Sequence, residues 1–166
     1  MERLIATGFG LGHLRPAPGT WASAATIALG YGLHRLGHFP LVAMATLLVI
    51  ALGFWAVARA TAGRADKDES AIVIDEVAGQ MIALCATSGG FWFAGMPASV
   101  FPWPAWVVPF LLFRLFDIWK PWLVGRADRQ GGAVGVMMDD LWAGLFAGLG
   151  SAALAGLYHA VLEPML

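Results

Sequence analysis

The sequence predicts an all-α fold: an integral membrane bundle of about five helices, forming one domain over residues 1–166. Three observations predict it. Hydrophobic residues make up 59% of the chain and charged residues 13%, about half the charge of an ordinary soluble domain, and the mean hydropathy is +0.71. Charged residues are missing altogether from four windows, 16–34, 36–58, 77–113 and 141–162. A bilayer core takes about 20 apolar residues per helix, so three of these windows suit one span each and the 37-residue window suits two. A water-soluble globule is excluded. A net charge of −1 excludes a nucleic-acid binder that works by neutralising phosphates. A single cysteine, Cys85, excludes an internal disulfide or a Cys-rich zinc module.

The expected helices follow in order. The first, 21–37, starts after Pro16, Pro18 and Gly19, with Thr20 as its cap. The second, 40–60, returns after a turn over Arg35–Pro40. The third, 72–92, ends at Gly89-Gly90, and the fourth, 104–121, starts after Pro97, Pro102 and Pro104. The fifth, 139–161, opens on Asp139-Asp140, where the helix dipole favours carboxylates. Residues 4–12 are too short for a secretory leader and lack a cleavage site. Two hairpins then bring residues 1–20, 59–76 and 114–140 to one side. That side carries nine of the ten basic residues, all but Arg35, so it is expected in the cytoplasm. Trp103 and Trp106 suit an interfacial belt at the opposite surface.

Three polar clusters lie on the charged side. In His13–Ser23, a Pro- and Gly-rich loop leads into a helix N-terminus, a place where free N–H groups suit phosphate; simple capping explains the same residues. In Arg64–Gln80, the acids Asp66, Asp68 and Glu69 read as a solvated loop. Asp75 and Glu76 differ, because they follow Ile72-Val73-Ile74 and precede the longest uncharged window. Carboxylates at such a position require a counter-charge or a metal. In the third cluster, Arg114, Asp117 and Lys120 recur at i, i+3 and i+6, on one helical stripe or as a salt-bridge ladder. Glycines 131, 132 and 135 then precede Asp139 and Asp140.

Asp75, Glu76, Asp117, Asp139 and Asp140 thus lie at matching depth, and hard oxygen donors of this kind select Mg²⁺ or Mn²⁺. The four histidines show no zinc-ligand spacing. Lys120, Arg114 and Arg64 can neutralise a phosphate. The sequence has no Cys-x₅-Arg loop, no Asp-x-Asp-x-Thr motif and no nucleotide-binding P-loop. Metal-assisted attack by water on a lipid phosphate remains, and composition alone does not separate it from a carboxylate-based ion or proton transporter.

Pro18-Gly19-Thr20 with Ser23, Ile72–Glu76, Phe113–Pro121, and Gly135–Asp140 with Ala143-Gly144 together resemble the phosphatidylglycerophosphatase A family, in family order, between about residues 8 and 148. Ala22, Leu123 and a longer glycine stretch at 131–135 depart from the family pattern. The resemblance implies an all-α, Mg²⁺-dependent membrane phosphatase that hydrolyses phosphatidylglycerophosphate to phosphatidylglycerol and inorganic phosphate in phospholipid synthesis. Its expected place is the bacterial inner membrane, multi-pass, with the site facing the cytoplasm and the phospholipid entering from the bilayer. On this reading some of Asp75, Glu76, Asp117, Asp139 and Asp140 hold Mg²⁺. Asp117 belongs to the catalytic set, and either Glu76 or Asp140 orients the water. Thr20, Ser23, Arg64, Arg114 and Lys120 bind substrate. A phosphatidyltransferase and an ion transporter are the alternatives. Asp139→Asn is expected to abolish turnover while leaving expression and membrane insertion intact, as measured by phosphate release from purified protein.

Overall fold

Apolar side chains offer nothing to backbone N–H and C=O groups, so the charge-free windows satisfy those groups internally, as helices. The computed structural model describes residues 1–62 and 71–162, which contain helices and turns and no strand. The elements are α1 (Glu2–Ala6), a 3₁₀ turn (Gly8–His13), α2 (Pro18–Thr61), α3 (Ile74–Phe93), α4 (Pro104–Trp119), α5 (Leu123–Asp128) and α6 (Gly132–Leu157). Two stretches, Pro18–Thr61 and Gly132–Val161, are long and apolar enough to cross a membrane.

α2 is two arms, 18–37 and 39–61, that reverse at His38 (φ 55°, ψ −156°), within the turn expected over 35–40. Gly19 packs against Glu76, His34 bonds Ser88 and Phe39 meets Phe93, so the first arm runs along α3 in the same direction. Gly53 of the second arm returns to Ile74 and Met137. Side chains close the turn. His38 Nδ1 accepts the Phe39 N–H (2.9 Å), Nε2 donates to the Met96 carbonyl (3.0 Å), and Arg35 donates to the Ser99 carbonyl (2.8 Å). Those partners place a ring proton of His38 on Nε2. Pro40 falls in the first turn of the second arm, where a missing N–H costs nothing.

The longest uncharged window divides into α3 and α4, which run antiparallel: Phe113 packs on Gly79, while Ala105 shares a cluster with Leu84. Trp106 is half-buried against that cluster, and Trp103 is exposed. α3 and α6 run parallel, with Ile74 and Met137 in one core cluster, Gly79 against Gly144 and Ala86 against Gly148. All of 1–20, 71–76 and 114–140 therefore gather at one end. The Val73 N–H bonds the Ala6 carbonyl there (2.9 Å).

Two expected helix starts are corrected, and two short helices are added. α2 starts at Pro18, with Ala17 as N-cap and no side-chain cap, because proline suits the first helical position; Thr20 lies inside the first turn. α1 and α5 were not anticipated. α6 begins at Gly132 instead of 139, because Gly135 lets the helix lie against the Ala127 carbonyl at the end of α5. Asp139 and Asp140 are consequently two turns into α6, beyond the reach of its N-terminal dipole.

A Cβ at Gly144 would collide with the Gly79 carbonyl, whereas one at Gly156 meets open space. Gly144→Ala is therefore expected to destabilise by about 1–3 kcal/mol through overpacking. Gly156→Ala is expected to be neutral or to stabilise by up to about 1 kcal/mol. Thermal midpoints in detergent check the ordering.

Candidate active site

The first turn of α3 carries Asp75 and Glu76, and α6 carries Asp139 and Asp140. Gly79 has no side chain to hold α6 away, and a Cβ there would lie 2.5 Å from the Phe113 ring besides striking the Asp140 carbonyl. This close crossing lets Asp75, Glu76 and Asp140 each present one oxygen within 4.8 Å of the other two. Asp75 Oδ1 accepts the Glu76 N–H (3.1 Å), and Asp139 Oδ1 accepts the Asp140 N–H (3.0 Å), so each adjacent pair is oriented by its own backbone. Glu76 Oε2 is buried without a hydrogen-bond partner.

Cations come from α4 and its end. Arg114 lies 2.6 Å from Asp117 in an i,i+3 pair. The stripe expected to include Lys120 stops short of it: α4 ends at Trp119, and Lys120 takes the left-handed conformation (φ 51°, ψ 54°). That turns the ammonium away from the α4 ladder towards Asp139 (2.9 Å) and Asp128 (2.5 Å). Burial works against the Lys120 charge, but hydrogen bonds to Asp128 and Asp139 outweigh it and hold the ammonium above its ordinary range.

All five expected carboxylates face one cavity of about 270 Å³, together with Lys120 and Asp128; Ile72, Val136 and the backbone at Gly131 and Gly132 complete its wall. Asp128 is the site residue that sequence reasoning passed over. Its signal was an acid eight positions beyond Lys120, visible only once α5 folds it back. Arg114 stands behind the wall, beside Glu76 and Gly19: a Cβ on Gly19 would strike the Glu76 carboxylate and lie 3.2 Å from the Arg114 guanidinium. Thr20 is half-buried in the same turn and does not line the cavity. Ser23 does not line it either; its hydroxyl is fully buried and donates to the Gly19 carbonyl (2.8 Å). Arg64 and the acids Asp66, Asp68 and Glu69 lie outside the described residues.

Six carboxylates (Asp75, Glu76, Asp117, Asp128, Asp139, Asp140) thus meet two cations, Lys120 and Arg114. An acid excess of this size in a partly buried site calls for added positive charge. The donors are all carboxylate oxygens, the set that suits a hard divalent ion such as Mg²⁺. Asp75, Glu76 and Asp140 fit such an ion, and the unpartnered Glu76 Oε2 offers it a lone pair.

Helical fold and acid-rich, lysine-flanked cavity together define the class: an all-helical protein with a site of the kind that handles phosphoryl groups. Comparison with known proteins specifies it. The family model for phosphatidylglycerophosphatase A matches residues 4–155, and the chain belongs to that family. It is 35% identical over 146 residues to a phosphatidylglycerophosphatase A of Haemophilus influenzae, covering 87% of this chain and 82% of that protein. It is 33% identical over 143 residues to the Escherichia coli phosphatidylglycerophosphatase A, covering 86% and 76%. A Bacteroides thetaiotaomicron protein named as a candidate phosphatidylinositol-3-phosphatase is 33% identical over 150 residues, covering 86% of each chain. No solved structure matches the chain. By family, the chain is a phosphatase.

Asp128 is nearly half exposed and Asp139 is almost buried. Asp128→Asn is therefore expected to cost less than about 1 kcal/mol, as surface pairs do. Lys120→Met is expected to cost more, because it strands the Asp139 charge in a buried position. Thermal unfolding in detergent compares the two variants.

Proposed function

We propose that the chain is a Mg²⁺-dependent phosphatase of phospholipid synthesis, hydrolysing phosphatidylglycerophosphate to phosphatidylglycerol and inorganic phosphate. The observation that carries the reading is the cavity itself: three carboxylates converge within 4.8 Å beside a lysine held by two further acids. Membership of the family supplies the substrate class.

Asp75, Glu76 and Asp140 would hold the ion; bound there, Mg²⁺ supplies Lewis acidity toward phosphate oxygens and acidifies water. The chain's own groups do the rest. Lys120, steadied by Asp128 and Asp139, meets a phosphate oxygen, and Asp117 keeps Arg114 aimed at the back of the site. Water adds to phosphorus as the ester P–O bond breaks, and the lipid oxygen leaves as the alcohol with one of the water protons. Phosphate leaves with the other. Preset charges that match the transferring group are the main source of rate in such chemistry.

The reading extends to location. We place the chain as a multi-pass protein of the bacterial inner membrane, with the arms 18–37 and 39–61, α3, α4 and α6 as five helices spanning or entering the bilayer. The arms, at 1.5 Å per residue, are roughly 30 Å long or slightly more, a bilayer core's thickness. Seven of the eight basic residues among those described, all but Arg35, belong to the segments at the site end, which favours a cytoplasmic site. A transporter would place its carboxylates along a path across the membrane. Here the described acids, from Glu2 to Asp140, all belong to segments gathered at one end.

Detergent-purified protein is expected to release phosphate from phosphatidylglycerophosphate with Mg²⁺ and to stop in excess EDTA. Asp140→Asn is expected to lower kcat by about 100-fold or more, the scale of losing a preorganised charge. Faster release from phosphatidylinositol 3-phosphate would reassign the substrate. No release from either lipid by folded protein would overturn the phosphatase reading.

A further inference from the structure

The backbone beside the cavity adopts conformations that bulky residues avoid. Lys120 (φ 51°) ends α4, and Trp122, with φ 42° and ψ −105°, caps α5 one proline later. Positive φ at a non-glycine residue is unfavourable and persists only where surrounding packing enforces it. That packing is present. Val124 and Gly125 are buried, the Arg126 N–H bonds the Trp122 carbonyl (3.0 Å), and a Cβ on Gly125 would lie 2.5 Å from the Lys120 carbonyl.

The same turn that sends Lys120 into the cavity sends Trp122 out of the protein. Its side chain is 85% exposed, and Trp119 and Ile118 on the α4 side of Lys120 are 69% and 72% exposed. Exposed apolar residues therefore flank, along the chain, the lysine that lines a cavity with seven charged residues in its wall. Charge and apolar surface so juxtaposed match one kind of molecule: a phosphate monoester carried on an apolar body. Indole, flat and apolar with one N–H donor, suits the level where acyl chains meet a polar headgroup.

We propose that Trp122 is a specificity-determining residue. Its indole contacts the acyl-glycerol part of the lipid whose phosphate lies beside Lys120, and so selects a membrane lipid over the water-soluble phosphomonoester with the same headgroup. The inference rests on the phosphatase reading above. Lys120 supplies the continuity: it is two residues from Trp122, and its ammonium lines the cavity. Trp122 selects substrate and takes no part in bond breaking.

The test compares long-chain phosphatidylglycerophosphate in mixed micelles with its deacylated, water-soluble counterpart, both with Mg²⁺. Trp122→Ala is expected to raise KM for the lipid about ten-fold with kcat within about twofold, the signature of lost ground-state binding. The deacylated substrate should be indifferent to the change. Trp122→Phe should restore most of the lipid KM, and Trp103→Ala, which removes an exposed tryptophan at the far end, should alter nothing. Should Trp122→Ala fail to fold, Trp122→Gly relaxes the left-handed backbone and removes the same ring. An unchanged lipid KM in a folded variant, or equal damage with both substrates, overturns the role of Trp122 alone. Wild-type protein inactive on both substrates overturns the phosphatase reading and the inference with it.

Discussion

The site depends on one contact, the crossing of α3 and α6 at Gly79 and Gly144. A Cβ at either glycine would collide with the facing backbone, the Asp140 carbonyl in one case and the Gly79 carbonyl in the other. Helices that close share side-chain positions at nearly the same height, so Asp75 and Glu76 on α3 come within ligand distance of Asp140 on α6. The pair Gly144 and Gly148 reads in sequence as a helix-packing surface, of the small-xxx-small kind. The structure assigns that surface to contact within the chain, against Gly79, Ala83 and Ala86.

Such a crossing concentrates negative charge where little water reaches, and the remaining elements answer that problem. α4 brings Arg114 against Asp117, and the left-handed end of α4 swings Lys120 between Asp139 and Asp128. α5 is short, but it supplies Asp128 and holds the turn that contains Lys120 and Trp122. At the opposite end the answer is neutral: His34 bonds Ser88 and stacks on Phe101 (4.0 Å between ring centroids), and His38 closes the α2 turn through its own backbone neighbour and Met96. Among the described residues the carboxylates are confined to one end, and the charge at the other, Arg35, bonds the Ser99 carbonyl.

Much of this was legible in the sequence. The charge-free windows located the helical stretches to within a few residues, apart from the start of α6 and the existence of α1 and α5. Periodicity was uninformative at these places. A short helix buried on one side by Val124, Gly125 and Ala127 shows no repeat, and Gly131, Gly132 and Gly135 carry the composition of a loop while serving as a helix start. The five carboxylates were legible because ionised groups at the edge of an apolar segment need a reason to be there. Ser23 was ambiguous for a related reason: a hydroxyl early in a helix suits phosphate and suits its own backbone equally well, and here it donates to the Gly19 carbonyl.

By itself the sequence determined the helical class, the end of the molecule that bears the acid-rich cavity and the residue types that line it. These follow from composition and from the cost of charge in apolar surroundings, both local properties of the chain. The tertiary structure alone decided which carboxylates converge and that Lys120 pairs with Asp139 and Asp128. Those outcomes depend on how closely two helices approach and on the backbone conformation of single residues such as Lys120, Trp122 and His38. Distances of a few ångströms between segments far apart in sequence leave no periodic trace in either one.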